Sequence, residues 1–128
     1  MRKRLIKNPL AQDLEMTQEK GGILTLKRTD GQQPDVIRLD TFSAEILCAY
    51  LLSVRQRVTG TIPSENLGDA DRTVIEHVLQ PAPTVKVTQR NAHMDIGPGF
   101  WDNLYCEIML ALPYMRRDAM ALVPGMRH

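Results

Sequence analysis

At 128 residues, with 43% hydrophobic and 24% charged side chains, the chain has the size and apolar content of one domain with a continuous core. Sixteen Lys and Arg against fifteen Asp and Glu leave a formal net charge of +1, a balance that names no partner. No apolar run approaches the roughly 20 residues needed to cross a bilayer, and residues 2–14 lack the apolar core of a signal peptide, so no membrane role and a cytoplasmic location are expected.

Four cations, Arg2, Lys3, Arg4 and Lys7, crowd the N-terminus. A basic arm of this kind can grip phosphate by counterion release, although a solvated terminus is the simpler reading. Residues 1–20 are polar with scattered Leu5, Ile6, Leu10, Leu14 and Met16, a pattern that does not choose between a strand and a short helix. After Gly21-Gly22, residues 23–28 and 36–39 are short β-favouring runs. The Gly- and Pro-containing stretch 29–34 between them predicts an antiparallel hairpin.

From Thr41 or Ser43 the period lengthens. Phe42, Ile46, Leu47, Tyr50, Leu51, Val54 and Val58 recur at steps of three and four, which predicts an amphipathic helix closed by Gly60. The stretch 69–79 offers Val74, Ile75, Val78 and Leu79 as a weaker apolar stripe and reads as a short helix ended by Pro81 and Pro83. Residues 85–88 and 93–96 then predict a second hairpin. A second helix opens at Pro98, where proline costs no hydrogen bond, with Phe100, Trp101, Leu104, Ile108, Met109 and Leu112 as its apolar face. Pro113 is expected to end or kink it, with a Met-rich helical segment following.

Sliding one helix onto the other by 58 residues superposes Cys48 on Cys106 and Leu52 on Leu110. The expectation is an α+β domain spanning 1–128, with an antiparallel sheet packed on amphipathic helices and two strand-strand-helix units at 21–60 and 84–113. The two cysteines lack the spacing of a disulfide framework or a zinc site and are expected to be buried free thiols.

Catalytic signatures are absent. A triad hydrolase needs a nucleophile within reach of a base, and His77, His93 and His128 carry no such context. Glu65, Asp69, Asp71 and Glu76 read as a solvated face, and Gly97-Pro98-Gly99 fails as a phosphate loop because Pro98 lacks the amide donor. No catalytic residue, metal site or cofactor is therefore expected, and a binding protein is favoured over an enzyme.

Alternation turns Leu24, Leu26, Ile37, Leu39, Val85 and Val87 to the core. It leaves Thr25, Lys27, Arg38, Lys86, Thr88 and Arg90 outward, a basic and hydroxylated face suited to several phosphates. Solvent-side Lys, Arg and Thr are also what any half-buried strand carries.

The passage from the hairpin into the first helix, residues 36–47, resembles the strand-to-helix passage of the Pur, Whirly and transcriptional-coactivator group of single-stranded-nucleic-acid-binding folds. That resemblance implies repeated sheet-plus-helix units, homodimers formed through helices, and strand-borne basic residues on the nucleic acid. All six aromatic Phe, Tyr and Trp residues fall at predicted helical positions, so affinity is expected to rest on charge rather than stacking. The competing expectation is a protein-interaction or assembly adaptor. It would use the apolar C-terminal half, with Phe100, Trp101, Tyr105, Met109, Met115 and Met120 at an interface.

Overall fold

The computed structural model describes residues 2–6, 14–28, 36–56, 60–90 and 92–121. The elements run β1 (Arg2–Ile6), β2 (Leu14–Glu19), β3 (Ile23–Arg28), β4 (Val36–Leu39), α1 (Thr41–Arg55), β5 (Glu65–Asn66), β6 (Val74–Val78), β7 (Thr84–Gln89), β8 (Ala92–Ile96) and α2 (Pro98–Ala121). Strands β1 to β4 form one antiparallel meander and β5 to β8 another, and each meander feeds directly into a helix. This is the expected α+β class, with sheets packed on helices.

Each unit nevertheless has four strands where the sequence led us to expect two. In the first unit the extra strands come from residues 1–20, where β1 pairs with β2 so that Lys3 stands opposite Thr17. In the second, the expected helix over 69–79 is the strand β6 with the short β5 beside it. Val74, Ile75 and Val78 are spaced as well for a strand as for one helical turn, and β-branching at all three favours the strand. Pairing with β7 settles the choice, because Ile75 stands opposite Val87 and His77 opposite Val85 on the buried side.

Helix α1 starts where Asp40, extended at φ −77° and ψ −178°, accepts a 2.8 Å bond from the Ser43 amide through Oδ1. It ends at Arg55, ahead of the expected Gly60, and Val58 lies outside the described residues. The turn 29–34 also lies outside them. Leu47, Leu51 and Val54 are buried as the periodicity requires, but Phe42 faces solvent. Helix α2 runs unbroken through Pro113. The proline removes the amide that would serve the Met109 carbonyl, and its exposed position leaves that carbonyl to water.

The helices are antiparallel, since Arg55 near the end of α1 meets Asp102 near the start of α2 at 2.8 Å. At the other end Glu45 meets Arg116 at the same distance. Both sheets and both helices contribute to one apolar cluster, including Leu24, Leu26, Leu39, Leu47, Leu51, Ile75, Val87, Ile96, Leu104, Ile108 and Met115. The β2–β3 turn is clamped onto α2. Gly22, at φ +78°, sits so close that a Cβ would stand 2.6 Å from the Met115 carbonyl oxygen and 2.8 Å from Ala119 Cβ.

Candidate functional site

Alternation gives each sheet one sealed and one open face. In β3 and β4 the side chains of Leu24, Leu26, Ile37 and Leu39 are buried, while Thr25 is half-buried and Lys27 and Arg38 are exposed. In β7 Val85, Val87 and Gln89 are buried, and Lys86 and Thr88 are half-buried. The six residues picked out from the sequence thus divide between two sheets. Thr25, Lys27 and Arg38 lie on the first open face and Lys86 and Thr88 on the second. Arg90 lies past the strand in an exposed turn, where its amide donates to the Asp71 carbonyl at 2.8 Å.

The two sheets adjoin along β4 and β8. Gln89 makes the junction. Its carboxamide behaves as a peptide unit laid against the free edge of β4, accepting from the Arg38 amide at 3.1 Å and donating to the Arg38 carbonyl at 2.6 Å. The same Nε2 donates to Thr73 Oγ1 at 3.1 Å, and Thr73 donates from both Oγ1 and its amide to the Asp69 carboxylate, each at 2.6 Å. Burial pushes the Asp69 carboxyl up, but these bonds from Thr73 outweigh it and leave the group below its ordinary value. A second link runs from the Arg28 guanidinium to the Asp95 carbonyl. The backbone of Arg38, a candidate ligand-binding residue, is therefore fixed by the second sheet while its side chain is exposed on the open face.

The open faces also carry acids beside these cations. Glu15 stands opposite Lys27, and Glu19 lies 3.6 Å from Arg38. In the second sheet Lys86 is the middle of a rung, with Glu76 on one side and Asp95 on the other. Lys27, Arg38 and Lys86 thus have four carboxylates as neighbours on the open faces. Residues 14–19 do not declare themselves a strand by local pattern, so Glu15 and Glu19 carry no signal there, and Glu76, expected on a solvated helix face, comes beside Lys86 only because residues 74–78 are a strand. Strand register is the signal that finds them. His93 is exposed opposite Thr88, and no Phe, Tyr or Trp lies on either open face among the described residues.

Other chemistry is sparse. His77 is buried, its ring edge-on to Trp101 at 6.1 Å, and its Nδ1 accepts from the Ile62 amide at 3.3 Å, a packing role. No group of three or more metal-ligating side chains is found among the described residues. A groove of about 280 Å³ between α1 and residues 62–65 is lined by Ile46, Ala49, Tyr50, Ser53, Ile62, Pro63 and Glu65, without a paired acid and base. No described helix is long and apolar enough to cross a membrane.

The expectation of buried thiols is corrected at one site. Cys48 is buried, but Cys106 is exposed because its position on α2 turns away from the sheets. Also on the exposed side of α2 are Met109, Leu110 and Tyr114, which are 49%, 60% and 42% accessible. Comparison of the chain with models of known protein families, with curated proteins and with solved structures returned no match.

Proposed function

We propose that the protein is a non-enzymatic module that binds single-stranded nucleic acid across the adjoining open faces of its two sheets. The observation that carries this reading is architectural. Helices cover one side of each four-stranded sheet, and the other sides, joined at β4 and β8, leave Thr25, Lys27, Arg38, Lys86 and Thr88 accessible to a strand of phosphates. Four strands before each helix also support the resemblance to Pur, Whirly and coactivator folds, because two-strand units would have been too narrow.

Charge sets the strength. With Lys27, Arg38 and Lys86 each beside a carboxylate, few counterions are released on binding, and affinity is expected in the range of non-specific binders, roughly 10⁻⁴ to 10⁻⁶ M. The test is binding of labelled single- and double-stranded oligonucleotides across a salt series, with a K27A/R38A/K86A variant as control. Salt-sensitive binding to single strands that is lost in the folded variant supports the reading, and no binding at low salt removes it.

A second reading, an assembly adaptor acting as a homo-oligomer or with a protein partner, is favoured by the exposed Met109, Leu110 and Tyr114 on α2. Large apolar side chains grouped on one helix face are the composition of an interface core. Concentration-dependent association that is insensitive to salt and lost in L110E/Y114E distinguishes it. Both readings hold together, since a dimer built on α2 leaves the sheets open.

A further inference from the structure

Cys48 and Cys106 hold corresponding places in the two helices, 58 residues apart, and the antiparallel packing brings those places together. Ion pairs bracket the crossing, Arg55 with Asp102 on one side and Glu45 with Arg116 on the other. Between them Cys48 Sγ lies 3.8 Å from the carbonyl oxygen of Tyr105, the residue next to Cys106. The thiols also sense each other's charge. Burial first, and then the neighbouring Cys106, push the Cys48 thiol up to about 11. One member of the pair is open to solvent and the other is enclosed.

We propose that Cys48 and Cys106 form an oxidisable dithiol site, in which a hydroperoxide converts the pair to a disulfide that staples α1 to α2. The exposed Cys106 reacts first. Its sulfur attacks the peroxide O–O bond, which breaks to give the Cys106 sulfenic acid and release an alcohol or water that takes up the thiol proton. Cys48 sulfur then displaces the sulfenic hydroxyl, which leaves as water with the Cys48 proton. Two thiols lose two electrons and two protons, and the peroxide takes them up. Because Cys48 is held protonated, the second step is slow at neutral pH and quickens as pH rises. The bond closes a long loop between the two ββββα units and so stiffens one against the other.

The experiment treats the reduced full chain with hydrogen peroxide at a small molar excess and follows intact mass, free thiols and a non-reducing tryptic map. The expected product is a monomer lighter by two hydrogens, with no free thiol and with peptides 39–55 and 91–116 joined until a reductant is added. Its thermal midpoint is expected to rise by about 10 °C, and the Cys106→Ala variant to show neither change. Cys106 sulfinic acid, or a Cys106–Cys106 linked dimer, with Cys48 still alkylatable after denaturation, overturns the proposal. The map is made on the wild-type chain, so it does not depend on a variant folding.

Discussion

On the open face of the first sheet Lys27 stands opposite Glu15 and Arg38 reaches Glu19, one acid to each cation. On the second, Lys86 alone faces both Glu76 and Asp95. The sealed faces differ too. The first sheet's β2–β3 turn is pressed into α2 at Gly22, whereas at Gly97, which joins β8 of the second sheet to α2, an added Cβ would meet nothing within 4 Å. One architecture is thus held by different contacts in its two halves. The first half carries the close contact at Gly22 and fewer acids per cation on its open face, so glycine and charge substitutions should act unequally in the two halves.

The largest expected effect is on that packing. Gly22→Ala places a Cβ against backbone at a left-handed φ, and should cost about 3 kcal/mol in urea unfolding. Gly97→Ala should change stability by no more than ~0.5 kcal/mol. Equal losses would show that the clamp between the β2–β3 turn and α2 is not what distinguishes the halves. Next is the junction. Gln89→Ala strips the Arg38 amide and carbonyl of their partners at the half-buried β4 edge, and should cost about 2 kcal/mol. Gln89→Glu sets a buried carboxylate oxygen against the Arg38 carbonyl in place of the donor, and should cost at least as much as the alanine variant at neutral pH.

These contacts mark where the sequence stopped being legible. The two hairpins and both helices followed from local periodicity, because alternation over Leu24 to Lys27 and the three- and four-residue steps from Leu47 to Val54 are properties of single elements. The strand β6 did not, since Val74, Ile75 and Val78 fit either period and only the partner strand decides. The same dependence hid half the site. Lys27, Arg38 and Lys86 were identified as outward by alternation within their own strands, but Glu15, Glu76 and Asp95 become their neighbours only through cross-strand register. Gln89 gave no sign of its role, because a polar residue at a core-facing position looks like an error until the edge it serves is known.

Arg38→Ala in the first sheet should weaken single-strand binding by ~10-fold and lower the salt slope by about 1, as loss of one phosphate contact does. Lys86→Ala should weaken it less than ~3-fold, because Glu76 and Asp95 flank that lysine across the strands and offset its charge. Neutralising those acids, as E76Q/D95N, should strengthen binding and bring Lys86 to parity with Arg38. If Lys86→Ala is the more damaging variant, the face is being used in the opposite sense.

The smallest expected effect reads the junction through protons. Thr73 holds the folded-state Asp69 carboxyl below its ordinary value of 3.8, so the folded protein resists protonation there more than the unfolded chain does. The sign follows from linkage. Above about pH 4 both states carry the carboxylate and its bonds stabilise the fold in full. As pH falls through the folded value, the unfolded chain takes up the proton first and the contribution is lost. Asp69→Asn removes the titration. Its thermal midpoint should lie below wild type at pH 7, and the two curves should draw together as pH falls below 3.8 and through the folded value. A gap that stays constant as pH falls would mean that Asp69 supports Thr73 and Gln89 through the shape of its side chain, with no share from its charge.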